Sequence, residues 1–220
     1  MTLRAREDAL RRVVATARTD AAHGLAHVAR VWANAKTIAA AEGGDLGLLM
    51  PAAYLHDLVN LPKSHPDNAR ASRLSARAAR PHLIALGYSA AQIDAIAHAI
   101  AAHSFSAQIP AETLEAKILQ DADRLDALGS IGLARWLMIS GQLGRRFAHP
   151  DDPFATDRPL DQNQWSLDHY AIKLLPMTRT MQTATGARLA QERLKPLSAF
   201  VAALCVDLGK PLTPHFGAIP

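Results

Sequence analysis

A histidine followed directly by an aspartate, His56-Asp57, stands in the otherwise apolar run PAAYLHDLV. Burying an imidazole and a carboxylate side by side costs free energy unless a partner compensates them, and a metal ion is the partner that suits both. Imidazole nitrogen with carboxylate oxygen fits Zn, Mn, Fe or Ni, while harder ions lean on the carboxylate. Two further candidates occupy similarly apolar surroundings: His27 in HGLAHVARVWANAKTIA and Asp123 in AKILQDADRLDALGSIGLA. Each alone reads as a hydrogen-bonded core residue. Together they form a set that one cation satisfies at once, because each would otherwise need its own buried partner.

Helices must position these groups. With Asp20 as N-cap, His27 shares a stripe with Val31, Ala35 and Ile38, and His23 lies one turn earlier on that face. Leu48, Ala52, Leu55 and Val59 form the core stripe of the next helix, with His56 beside it near the C-terminal end. Asp123 shares a face with Leu119, Ala127 and Ser130. The periodicity predicts an all-α chain with helices near 3–18, 21–41, 46–59, 66–86, 90–103, 112–140, 166–185 and 187–207. Gly43-Gly44 and Gly87 are stops, Pro66 is a start, and Ser89 with Gln92 makes a capping box. Pro81 and Pro176 predict a kink or break in their helices. The polar, proline-rich stretch 145–164 predicts a long loop, read as a lid over the ligand that carries Arg145, Arg146 and Arg158.

Composition narrows the function classes. The chain has 220 residues, enough for one substantial helical domain, expected to span 1–220 with the site in about 20–140 and helices 166–207 packed on it. The single cysteine, Cys205, reads as a small core residue in a reducing compartment, and a cytoplasmic location is expected. The apolar runs are too short for a membrane span, and the N-terminus MTLRAREDALRRVV reads as a helix rather than a signal peptide. A net charge of +4 is spread over solvated faces such as Arg70, Arg73, Arg77 and Arg80, and aromatics make up only 5%. That pattern disfavours nucleic acid as a partner and suits attraction of anionic small substrates.

These segments resemble the HD-domain metal-dependent phosphohydrolases, in particular the small YedJ-like and YpgQ-like branch. The resemblance is carried by HGLAHVARVW, AAYLHDLVN, SHPDNARAS, AHSFSA, ILQDADRLDALGSIGLAR, DHYAIKLLPM and TGARLAQER, in that order along nearly the whole chain. It implies a single HD-domain helical bundle with metal ligands His27, His56, Asp57 and Asp123. The implied ion is divalent, with manganese expected and Mg, Co, Ni, Fe or Zn compatible. The implied reaction is hydrolysis of (deoxy)nucleoside triphosphates to monophosphate and pyrophosphate. A small-molecule nucleotide is thus the expected partner, with no membrane partner and with homo-oligomers compatible.

A divalent ion with open positions polarises a phosphoryl oxygen and lowers the pKa of a bound water, which makes phosphate hydrolysis its natural chemistry. The transferred group also needs cations. Lys63, His65, Arg124, Arg145, His169 and Lys173 are the candidates, with Arg124 able instead to pair with Asp121; Asp121 and Asp126 read as capping or supporting groups. Asp57, His98 and His103 are the expected catalytic set. Related nucleotidases place a glutamate three residues after the HD aspartate; Asn60 stands there in this chain, so either a metal-bound hydroxide suffices or a histidine such as His98 or His103 assists. Extra histidines in this region also accompany a second metal in some HD proteins, so a nucleotidase, a phosphodiesterase or a dinuclear oxygenase is the alternative reading.

Overall fold

The computed structural model of the chain describes residues 1–16, 24–61, 65 and 67–217. The expected Asp20 cap, His23, Lys63 and the Pro66 start lie outside the described residues. The described residues contain ten α-helices, several short 3-10 turns and no strand, so the all-α expectation holds. They gather into two compact units: Met1–Asp123 with Gln182–Gly186, and Arg124–Met181 with Ala187–Pro220. No helix among the described residues is long and apolar enough to cross a membrane.

The first unit is built around its shortest full helix. α1 (Leu3–Thr16), α2 (Leu25–Glu42), α4 (Ala71–Ala85) and α5 (Ala90–Ala102) all pack on α3 (Leu46–Leu55). Every residue of α3 from Leu49 to Leu55 is buried, as expected of a helix that is apolar all round. Asp45 caps its start, its carboxylate accepting the Gly47 N–H at 2.7 Å, while the Asp45 N–H donates to Glu115 at the head of α6 (Leu114–Asp126). At its other end the helix stops at Leu55, short of the predicted 59, which places His56 and Asp57 in a turn rather than on a helical stripe. That turn is tied to α4 by Ser75, whose hydroxyl accepts from Val59 N and donates to Val59 O.

Local signals elsewhere acted as read. Gly43 and Gly87 end α2 and the α4 segment with φ of 85° and 75°, a region open to glycine, and both hydrogen bonds of the Ser89–Gln92 capping box form. α4, however, runs through Pro81 without a break. Its buried stripe Ser75, Ala76, Ala79 and Leu83 stays packed across the proline, and that packing outweighs one missing backbone bond.

The predicted helix 112–140 is two helices, α6 and α7 (Gly129–Gln142). The chain turns at Leu128-Gly129, where Gly129 adopts φ 73°, and Gly132 lies so close to the Ala127 carbonyl that a Cβ would meet it at 2.3 Å. The predicted 166–185 helix is shorter as well: α8 (Ser166–His169), a π-helical stretch Tyr170–Leu174 and α9 (Leu175–Met177) end soon after Pro176, and α10 (Ala184–Leu208) follows. Asp121 organises the start of α10. Its fully buried carboxylate accepts the N–H groups of Gln182 and Thr183 and the Thr183 hydroxyl, and Gly186 leaves room for it where a Cβ would lie 2.3 Å from Oδ2.

The second unit has its own core of Trp136, Phe154, Leu167, Tyr170, Leu174, Leu197, Val201 and Phe216. The connection between α7 and α8 is non-helical, as predicted, but it is packed into this core rather than loose. Phe154 is buried edge-on against Phe216, and Arg158 makes a two-pronged ion pair with fully buried Asp168 at 2.6 and 2.8 Å. Asp161 N–H donates to the same carboxylate, and Arg146 sits over the Trp165 ring. Arg158 is therefore committed to holding the loop. Arg158→Ala strands a buried charge and should cost about 3–5 kcal/mol in urea unfolding, whereas Arg146→Ala should cost under about 1 kcal/mol.

Candidate metal centre

Two helices of the first unit end in the same device. At the end of α3 the His56 ring bonds through Nδ1 to the Ala53 carbonyl at 2.8 Å; at the end of α5 His103 bonds through Nδ1 to the Ile100 carbonyl at 2.7 Å. Each ring thus satisfies a terminal carbonyl that the helix leaves without an amide partner. With the proton assigned to Nδ1, the His56 Nε2 lone pair points toward His27 and Asp57, while His103 Nε2 faces Asp57 Oδ1. The two rings meet edge to face with centroids 4.8 Å apart. Two helix C-termini, the negative ends of their dipoles, therefore converge where a cation would sit.

α2 and α6 bring the remaining groups. His27 Nε2 lies 3.2 Å from His56 Nε2, 3.8 Å from Asp57 Oδ2 and 3.5 Å from Asp123 Oδ1. His56 Nε2 lies 3.5 Å from Asp57 Oδ2 and 3.8 Å from Asp123 Oδ1. A tetrahedron built on metal–ligand bonds of about 2.0–2.1 Å has edges of about 3.4 Å. These five separations scatter around that length; His27, His56 and Asp57 form a three-donor group that could hold a metal ion, and Asp123 adjoins it through the two histidines. The donor chemistry, two imidazoles and two carboxylates, suits Mn, Fe, Zn, Co or Ni. His27, His56 and His103 are buried, whereas the side chains of Asp57 and Asp123 are 23% and 29% exposed. The cage thus opens to solvent on its carboxylate side.

Supporting bonds fix the helices that carry the donors. Asn34, on the His27 face of α2, donates to the Ala122 carbonyl beside Asp123, and Gln120 donates to the Ala102 carbonyl beside His103. Neither was singled out from the sequence. A buried asparagine seven residues after His27 on an apolar stripe was the available signal for the first.

The other expected site residues lie apart or in other roles. His98 accepts the Glu112 N–H through Nε2, bracing the segment before α6. His65 Nδ1 accepts the Asp67 N–H at the surface, and Lys63 lies outside the described residues. Arg124, Arg145, His169 and Lys173 belong to the second unit. There Arg124 is buried and donates to the Thr180 carbonyl, Arg145 is partly buried, His169 bonds to Gln162, and Lys173 faces solvent on the π-helical stretch. Asp126 is buried against Arg135.

Electrostatics within the cage sets protonation. Burial pushes the His56 pKa down to about 4 against the pull of Asp57, so the ring is neutral and able to ligate at neutral pH. Burial also acts to lower His103, but its bond and charge contact with Asp57 prevail and raise it above the ordinary histidine value. Asp123 resists its own desolvation through the surrounding imidazoles and is held below the usual aspartate range. In metal-stripped protein, unfolding lets His56 take up a proton that the folded state refuses, so stability falls as pH drops from about 6.5 to 4. His103 acts oppositely, adding stability at low pH that is lost as pH rises through its raised pKa. The His56 share is about 3 kcal/mol; urea unfolding at pH 7 and pH 4.5 should show a shallower acid loss in His56→Gln than in the unsubstituted chain.

The HD domain family matches residues 24–128, a span that holds His27, His56, Asp57, His103 and Asp123. The uncharacterized protein YpgQ of Bacillus subtilis is 33% identical over 190 residues, 84% of each chain. The crystal structure of Bacillus subtilis YpgQ in complex with ADP is similar with a TM-score of 0.74 at 30% identity, covering 94% of this chain and 97% of that one. That of an HD-superfamily hydrolase from Bacillus thuringiensis has a TM-score of 0.71 at 28% identity, covering 94% and 98%. The chain therefore belongs to the HD-domain family of metal-dependent hydrolases, in its YpgQ-like branch.

Proposed function

We propose that this hydrolase converts (deoxy)nucleoside triphosphates to the monophosphate and pyrophosphate, with one divalent ion, Mn in the first instance, held by His27, His56, Asp57 and Asp123. The observation that carries the reading is the meeting of His27 and His56 at 3.2 Å with Asp57 and Asp123 each within 3.8 Å of both rings, open on the carboxylate side. The ADP in the YpgQ crystal structure supports a nucleotide as the ligand class. When bound, such an ion supplies Lewis-acid polarisation of a phosphoryl oxygen and a more acidic water.

The chain's own residues do the rest. His56 and His103 are each fixed through Nδ1 to a helix-terminal carbonyl, so His56 presents Nε2 to His27 and Asp57, and His103 presents Nε2 to the other oxygen of Asp57, before any ligand arrives. Asp57 is shared: Oδ2 faces His27 and His56, while Oδ1 lies 3.5 Å from His103 Nε2. A proton held at His103 Nε2 orients that carboxylate and is available to a departing phosphate oxygen. Asn60, at the position of the glutamate in related nucleotidases, cannot act as a base, which leaves proton handling to His103. His98, the second histidine that a dinuclear centre would draw on, is engaged with the Glu112 backbone, which favours one ion per chain. Phosphate contacts are assigned, on the resemblance, to Lys63 and His65.

Turnover of a deoxynucleoside triphosphate with Mn in oxygen-18 water should place the label in the monophosphate and none in pyrophosphate. Orthophosphate with a diphosphate, or release of intact triphosphate, would defeat the proposal. Asp57→Ala should remove both bound metal and turnover while the far-ultraviolet circular dichroism stays helical. His103→Gln should keep the metal and lose roughly 10²–10⁴-fold in kcat; full retention of kcat would exclude the proton role.

A further inference from the structure

Among all the phenylalanines, tyrosines and tryptophans of the chain, Phe105 is the most exposed, at 63%, and it lies two residues after His103. The other aromatic side chains of the first unit, Trp32, Tyr54 and Tyr88, are all 6% exposed or less. A ring exposed singly is ordinary on a protein surface; what distinguishes Phe105 is its place on a braced turn two residues after a histidine that contacts Asp57.

The backbone around it is braced. Ala107 N–H donates to Ser104 O, the hydroxyls of Ser104 and Ser106 pair at 3.0 Å, and the Gln108 side chain donates to the Phe105 carbonyl at 2.9 Å. Gln108 itself adopts the left-handed conformation at φ 52°, unfavourable for a side-chain-bearing residue, to close the turn. This 3-10 turn packs on the one at Asn68–Arg70 and is continuous with α5, whose terminal His103 faces Asp57. Two residues of chain span at most about 7 Å, so the ring is anchored within a nucleotide's length of the cage.

We infer that Phe105 is a stacking platform for the nucleobase of a nucleotide whose phosphates lie at the His27–His56–Asp57–Asp123 cage. The inference rests on the proposed nucleotide substrate and adds to it the part of the chain that recognises the base. Stacking is tolerant of base identity because every base has a flat face, so Phe105 contributes affinity for nucleotides as a class.

Equilibrium titration with a methylene-bridged, non-hydrolysable deoxynucleoside triphosphate in Mn tests it, with inorganic triphosphate as the base-free control. Phe105→Ala should weaken nucleotide binding roughly 5- to 150-fold and leave inorganic triphosphate unchanged. Phe105→Trp should restore the nucleotide affinity. In turnover the same change should raise KM with little effect on kcat. Equal weakening of both ligands, no weakening of either, or a change only in oligomeric state would overturn the inference. A chain that binds the nucleotide in a Phe105-dependent way but does not hydrolyse it would defeat the proposed reaction and leave the platform standing.

Discussion

Two imidazoles 3.2 Å apart, each with the carboxylates of Asp57 and Asp123 within 3.8 Å, form a largely buried arrangement that a cation balances well. The rest of the first unit is organised to make that arrangement affordable. α3 is buried on every side, and its end is fixed by the His56 bond to Ala53, by Ser75 on α4 and, at the other terminus, by Asp45 and Glu115. A helix so enclosed cannot shift without disturbing four neighbours, so its terminal histidine is held to the geometry that coordination needs.

Helix termini carry much of the chemistry. Both His56 and His103 use one ring nitrogen to satisfy an orphan carbonyl and present the other, His56 toward the metal donors and His103 toward Asp57, so completing the helix also orients the ring. Convergence of two negative dipole ends adds to the attraction for a cation. Asp57 couples these histidines, with one oxygen toward each, and this shared carboxylate divides the roles of two rings that lie in similar burial: His56 is held neutral, His103 is biased toward its charged form.

In the second unit a comparable logic serves stability. Asp168 has no exposure, and its carboxylate is compensated by Arg158 and by the Asp161 N–H. The long connection that composition marked as a lid is held by this pair and by Phe154. Buried ion pairs of this kind hold one conformation strongly, because breaking either partner leaves an unpaired charge.

The sequence by itself determined the helical class, the capping box at Ser89, the glycine stops and the grouping of His27, His56, Asp57 and Asp123. Those features are written in short-range periodicity, in turn chemistry and in the cost of polar groups on apolar faces, all of which act locally. It could not decide between His98 and His103, which lie five residues apart on one helix: only the packing of α5 places the second against Asp57 and leaves the first bracing Glu112. Nor could it tell a free arginine from one committed to a distant carboxylate, as Arg158 is to Asp168, or show that α6 ends before Gly129. Such outcomes depend on which group meets which across the chain, and partner choice is settled by three-dimensional packing rather than by residue type.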